Sequence, residues 1–296
     1  MFSFITDIFC QIDDFIKSYD NKNCKNILPK SERQRKKPCR LSLGEIATIE
    51  IFFHMSHYRT FKDYYNACVI PYMKEYFPDL VSYNRFLELK KYVIGYLFLF
   101  LQNNRGEETG TYFVDATKLP VCHNKRIYRH KVFKGLAERG KTSVGWFFGF
   151  KLHLVINQKG EIMSFMLTPG NTDDRKPLTR LFKKLLGYAF ADKGYIGEQW
   201  IEKLKEIGIK LITSRRKSMK KARINPQEKY CLSKRGLIET VIDQLKNVLQ
   251  IDHTRHRSFD NFIANTLSAL TAYFFKPRKP TINTHIISNH TKIIKL

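Results

Sequence analysis

Apolar positions along the chain change rhythm near residue 105. Before it they recur at helical spacing. Ser42 and Glu45 form a capping-box pattern ahead of Ile46, Ile49, Ile51, Phe52 and Phe53, which predicts a helix. A second helix is predicted over 61–69. A third starts after Ser82 and runs through Phe86, Leu87, Leu89, Val93 and Leu97. A short amphipathic start precedes them, followed by a polar linker, 21–40, with Lys30, Arg33, Arg35, Lys36, Lys37 and Arg40. Three such helices, with Arg85, Lys90 and Lys91 on the last, suit a helix-turn-helix module or, equally, a small bundle packed on the next domain.

From Thr111 the period shortens toward two. Strands are expected at 111–116, 145–156 and 161–168. Phe148, Phe150, Leu152, Leu154 and Ile156 share one face of the second, and Asn157 to Gly160 turns it into the third. Leu178, Leu181, Phe182, Leu185 and Leu186 then form one helical stripe. A strand at 188–191, a helix at 197–207, a strand at 209–213, a helix carrying Glu239 and a last helix at 259–275 complete the order βββαβαβα. Asp115 ends the first strand and Asp192 the fourth, so they and Glu239 can converge, and convergent carboxylates hold divalent metal. Element order and acid placement together give an expected α/β class. A mixed five-stranded RNase H-like sheet flanked by helices follows a small all-helical N-terminal domain. The expected domains are 1–105, helical, basic and binding DNA ends; 106–276, catalytic; and 277–296, a flexible basic tail.

Composition narrows the partner. Of 296 residues, 52 are Lys or Arg and 27 Asp or Glu, a formal net charge of 52 − 27 = +25. Such a surplus points to an extended polyanion, bound in a salt-sensitive way. The longest apolar run, Val93 to Leu101, is about half of a bilayer span, so no membrane partner is expected, and the first residues do not read as a signal peptide. Six scattered cysteines without a C-x-x-C pair read as reduced thiols of a cytoplasmic protein, not as a zinc site.

Arg215, Arg216, Lys217, Lys220, Lys221 and Arg223 form a basic loop just before the Glu239 helix, a backbone clamp on DNA or simply a solvated loop. Asp173 and Asp174 sit at a helix start, where acids cap the dipole. Asp243 could support Glu239, and Asp252 and Asp260 read as structural. His253 and His256 suit a phosphate contact or helix entry, and His153 could border the acids. Trp146 and Trp200 are expected in the core, with base stacking as the alternative.

The runs YFVDATKLPVCHNKRI, HKVFKGLAERGKTSVGWFFGFKLHLVIN, LTPGNTDDR, FADKGYIGEQW and SKRGLIETVIDQLKNVLQIDHTRHRSFDNF resemble bacterial insertion-sequence transposases of the DDE class, most closely the nine-eighty-two family. FFHMSHYRTFKDYY and FPDLVSYNRFLELK extend the resemblance upstream, to about residues 40–276. It implies a DNA transposase with Asp115, Asp192 and Glu239 as catalytic residues and ligands of two Mg²⁺ ions, with Mn²⁺ expected to substitute. A signature of tyrosine, arginine, glutamate and lysine is met at Arg235, Glu239 and Lys246, with Leu232 at the tyrosine position. At 3.6 residues per turn Arg235, Glu239 and Lys246 fall on nearly one helix face, from which Arg235 and Lys246 would contact DNA phosphate. The acid spacings, 192 − 115 = 77 and 239 − 192 = 47, leave no room for a large insertion before the glutamate. Expected partners are double-stranded DNA, as terminal inverted repeats and target, and a second copy in a homodimer on DNA; the expected location is the bacterial cytoplasm at the nucleoid. The activity implied is metal-dependent nicking at element ends and transfer of the 3′-hydroxyl into target DNA. The alternatives are an RNase H-like nuclease without strand transfer and an inactive DNA-binding relict.

Overall fold

A computed structural model describes residues 3–22, 39–143, 145–214, 225–252 and 256–282. The chain divides into two compact units: Met1–Asn104 with Leu245–Lys276, and Arg105–Gln244 with Pro277–Leu296. The long helix Phe259–Phe275, expected at the end of the α/β domain, therefore belongs with the N-terminal helices.

The helical unit is built around that helix and Leu43–Met55, which pack on each other. Both are buried nearly all round, so neither has a polar face to give to water. Ser3–Lys22 covers the second with Ile5, Ile8, Ile12 and Ile16, a single helical stripe. The predicted capping box is present: Ser42 Oγ accepts from Glu45 N at 3.1 Å, and Ser42 N donates to Glu45 Oε2 at 2.6 Å. The predicted second helix is α-helical only over Phe61–Tyr64 before a π turn, Tyr65–Val69.

Polar groups fix how these helices meet. Lys90 Nζ lies 2.9 Å from Glu50 Oε1 with both side chains sealed from water, and 4.3 Å from the centre of the Phe61 ring. Burial pushes the Glu50 carboxyl upward against the pull of Lys90. His54 Nδ1 is bonded to Leu249 O at 2.6 Å, tying the first helical segment to the last. Burial lowers His54 to about 4 and His256 to about 3, and Lys90 adds to both shifts. Both imidazoles are thus neutral in the folded unit.

The second unit is a six-stranded mixed sheet: β1 Thr111–Cys122, β2 Glu138–Thr142, β3 Gly145–Asn157, β4 Ile162–Pro169, β5 Gly187–Ala191 and β6 Ile209–Thr213. β1, β3 and β4 form an antiparallel meander, and β5 and β6 extend it in parallel from β1. That arrangement is RNase H-like. β2 is a strand that the sequence pattern does not show. It pairs with residues 145–149 of β3, and β4 continues along the same edge from residue 150. A side chain at Gly140 would strike the carbonyl of Gly170 where the two meet. The expected stripe from Leu178 to Leu186 is helical only over Leu178–Leu181, yet Leu178, Leu181, Phe182 and Leu185 all enter the core with Tyr112, Val114, Val155 and Ala189.

Two predictions follow from the buried polar groups. Lys90→Met should destabilise the protein by about 3–5 kcal/mol by leaving Glu50 buried and unpaired. Adding Glu50→Leu should recover most of that loss in denaturant unfolding; a single variant as stable as the parent would overturn the pairing. The folded pKa of both histidines lies below the unfolded value of about 6.5, so the unfolded chain binds more protons below that pH. Their contribution to stability should be complete above pH 6.5 and fall as pH drops toward 4. Correspondingly, the His54 and His256 ring resonances should not move between pH 8 and 5; a titration in that range would contradict their burial as neutral rings.

Candidate active site

Parallel pairing of β1 with β5 positions the first two acids. The register matches Tyr112 with Ala189 and Phe113 with Phe190, where the ladder ends. Two residues further along stand Asp115, inside β1, and Asp192, the first residue past β5. Beyond the last ladder bond the strands are free to part, and that is where open α/β sheets form their crevice. Asp115 Oδ1 accepts from Ala116 N at 2.8 Å, and Asp192 Oδ1 accepts from Lys193 N at 2.7 Å as the cap of the 3-10 turn Lys193–Tyr195. Each carboxylate is thus oriented by the next residue's backbone. Neither forms an ion pair among the described residues.

Glu239 comes from the helix Gly236–Asp243, which packs on β1 through the apolar side bearing Leu237, Ile238 and Val241. Its Oε1 lies 2.6 Å from Arg235 Nη2. Burial raises the Asp115 carboxyl to about 6. Ala116 N–H and Arg235 pull it down, and the charges of Glu239 and Asp174 push it up. Burial raises the Tyr195 hydroxyl well above its usual range, and the charges of Asp115, Asp174 and Asp192 add to the shift, so all three acids act on its surroundings.

Asp174 is the acid whose place the sequence did not reveal. It enters the Asp115 field while paired at 2.9 Å with Lys151, whose Nζ also donates to Thr172 O at 2.9 Å. Asp173 is instead clamped by Arg175, which holds it down to about 2, and Arg175 Nη1 reaches Ile196 O at 3.2 Å. That bond ties the 173–175 loop to the turn after Asp192. His153 is buried on β3 and bonded to Thr168 Oγ1 at 2.8 Å, its pKa lowered to about 4 by burial.

The donor chemistry fits a hard divalent cation: carboxylate oxygens, one of them buried and destabilised by neighbouring negative charge. No three His, Cys, Asp or Glu side chains among the described residues are gathered as a ligand set. Glu239 is turned to Arg235 instead.

Other expected contacts fare differently. Arg215, Arg216, Lys217, Lys220, Lys221 and Arg223 lie outside the described residues, as does His253. Lys246 was expected on the Glu239 face by 3.6-residue spacing. The helix becomes a π turn over Gln244–Val248, so that spacing does not carry through, and Lys246 lies 3.7 Å from Asp252 within the helical unit. Trp200 is half-buried with Lys203 over its ring, whereas Trp146 is 51% exposed rather than in the core.

Arg235 and Glu239 make a largely exposed pair, so Glu239→Gln should leave the unfolding free energy within about 1 kcal/mol of the parent. A larger loss on thermal or denaturant unfolding would assign Glu239 a structural role.

Among solved structures, the chain is similar to one described as the mariner Mos1 paired end complex with Mg, at 11% identity and a TM-score of 0.22, over 90% of this chain and 88% of that one. At that score the likeness carries no weight for the fold, which rests on the strand order above. No curated protein matches the chain. A family model described as transposase DDE domain matches residues 105–259, that is 155 of 296, across β1, β5 and the Glu239 helix. The chain belongs to the transposase DDE domain family.

Proposed function

We propose that the protein nicks DNA at the ends of an insertion sequence and joins the resulting 3′-hydroxyl to target DNA. The observation that carries this reading is the parallel ladder of β1 with β5, which ends two residues before Asp115 and Asp192, together with the Glu239 helix packed on β1. Asp115, Asp192 and Glu239 would hold two Mg²⁺ ions, with Mn²⁺ as a substitute. Bound there, the metal supplies Lewis acidity at the scissile phosphate and activation of water or a 3′-hydroxyl.

The chain's own residues bind and orient. Glu239 would leave Arg235 to hold a cation, and the freed guanidinium would then be available to a phosphate oxygen. Lys246 and the basic stretch Arg215, Arg216, Lys217, Lys220, Lys221 and Arg223 neutralise the flanking backbone of double-stranded DNA. Lys151 and Arg175 keep Asp174 and Asp173 turned toward cations of the protein, so these acids do not repel the incoming strand. Two element ends handled together call for two copies of the chain on DNA. A cytoplasmic protein at the nucleoid fits the charge of +25 and the lack, among the described residues, of any helix able to cross a membrane.

The test is cleavage of DNA bearing the element's own ends. Asp115→Asn, Asp192→Asn and Glu239→Gln should each fall below about one-thousandth of the parent rate in Mg²⁺. Product from Glu239→Gln equal to the parent's would end the assignment. Pre-cut ends that are hydrolysed but never joined would identify a nuclease without strand transfer.

A further inference from the structure

The excursion between β1 and β3, residues 123–146, serves none of the roles above. It carries seven Lys or Arg and one acid, Glu138. Its folded base is firm. Phe133 is buried, stacked at 5.5 Å and 11° on His130 and set edge-on to Phe150. Asn124 Nδ2 donates to Trp146 O at 2.8 Å, pinning the 3-10 turn Asn124–Arg129 to the start of β3.

On that base two large aromatics face water. Tyr128 is 97% exposed, so nothing in the fold calls for a ring there. Trp146 is paired across the hairpin with Lys141, whose Nζ lies 5.7 Å from the ring centre, and Arg139 Cζ lies 4.9 Å from it. Arg139 and Lys141 sit two apart on β2 and so share its face with the indole. Lys125, Arg126 and Arg129 are exposed around Tyr128. Flat rings bordered by fixed cations match one chemistry closely: a polynucleotide, whose bases stack on the rings while its phosphates meet the cations.

We propose that residues 123–146 form a second DNA-contact surface, with Tyr128 and Trp146 as stacking platforms. It rests on the reading of the protein as a DNA transposase and extends it to a region away from the acids. Trp146 lies 154 − 146 = 8 residues along β3 from Leu154, the cross-strand partner of Asp115. At about 3.4 Å per residue that is ~27 Å, or about eight base steps of duplex. The surface would therefore grip DNA well outside the cleavage point, through a flank that the acids never touch.

The experiment measures binding alone, in the full-length Glu239→Gln chain, so its result does not depend on cleavage. With Trp200→Phe added, Trp146 is the only tryptophan. The probes are an oligothymidine strand and a mixed-sequence duplex, each about 30 steps long, roughly 100 Å as duplex. Quenching of Trp146 emission is expected, by the single strand if unpaired bases stack and by the duplex if the rings lie against sugars and grooves. Tyr128→Ala and Trp146→Ala should each weaken binding on the order of tenfold, and Tyr128→Phe should not. Since Tyr128 is almost wholly exposed, its replacement cannot act through unfolding. No quenching by either probe, with unchanged affinity in both alanine variants, would overturn the proposal and leave Trp146 as a cover for the stems of Arg139 and Lys141. The cleavage reading would stand in that case. Conversely, intact cleavage by Asp115→Asn alongside strong quenching would sink the acid assignment and leave this surface in place.

Discussion

The parallel ladder between β1 and β5 is the constraint on which the site depends. Its last pair is Phe113 with Phe190, and both rings are buried, so the register is fixed by packing as well as by backbone bonds. A slip by one residue would turn every side chain of one strand to the opposite face. The offset between Asp115 and Asp192 along the ladder would then change as well. The acids thus inherit their relative placement from apolar residues two positions earlier in each strand. The antiparallel meander on the other side of β1 does the same for Asp174, because its partner Lys151 stands on β3 opposite Lys118.

Much of this was legible because it depends on apolar periodicity. β3 alternates strictly, β6 is a short apolar run with turn residues around it, and the bounds of Phe259–Phe275 coincide with those expected. The expected end of the first strand at Ala116 was too early, since β1 runs on to Cys122 and Asp115 lies within it, opposite Leu154. β2 was not legible, since Glu138, Arg139, Gly140, Lys141 and Thr142 have no apolar alternation and are held by backbone pairing and by glycine at a close approach. The stripe from Leu178 to Leu186 shows the reverse case. All of its residues but Leu186 are buried as the spacing requires, yet the helix stops at Leu181, because burial selects side-chain direction and not backbone hydrogen bonding. Lys246 was misplaced on the Glu239 face because a π turn is invisible to a 3.6-residue count. Trp146 was expected inside because size and hydrophobicity favour the core, and composition does not see two cations stationed at its ring.

The helical unit poses a different problem, joining a segment near the start of the chain to one near its end. Apolar burial alone would allow neighbouring helices to slide, since it has little directional preference. Glu50 with Lys90, and His54 with the carbonyl of Leu249, permit only one alignment, because any shift would strand a charge or a ring nitrogen away from water. That cost acts on every alternative packing and not only on the unfolded chain. Buried polar groups here therefore serve uniqueness more than stability, and their neutral imidazoles keep positive charge from building up around Lys90.

A chain with a surplus of +25 nevertheless concentrates acids at one end of its sheet, and the pairing there is uneven. Asp173, Asp174 and Glu239 each have a cation of the protein within ion-pair reach, whereas Asp115 and Asp192 rely on a backbone N–H. Backbone donors orient a carboxylate without cancelling its charge. Glu239 differs because its cation is exchangeable: Arg235 sits one helical turn before it, in an exposed pair that costs little to break. A site so divided holds two acids in place and keeps a third in reserve. Under the proposed function, drawing Glu239 to a cation would free that guanidinium for a phosphate oxygen, so metal loading and DNA binding would be coupled.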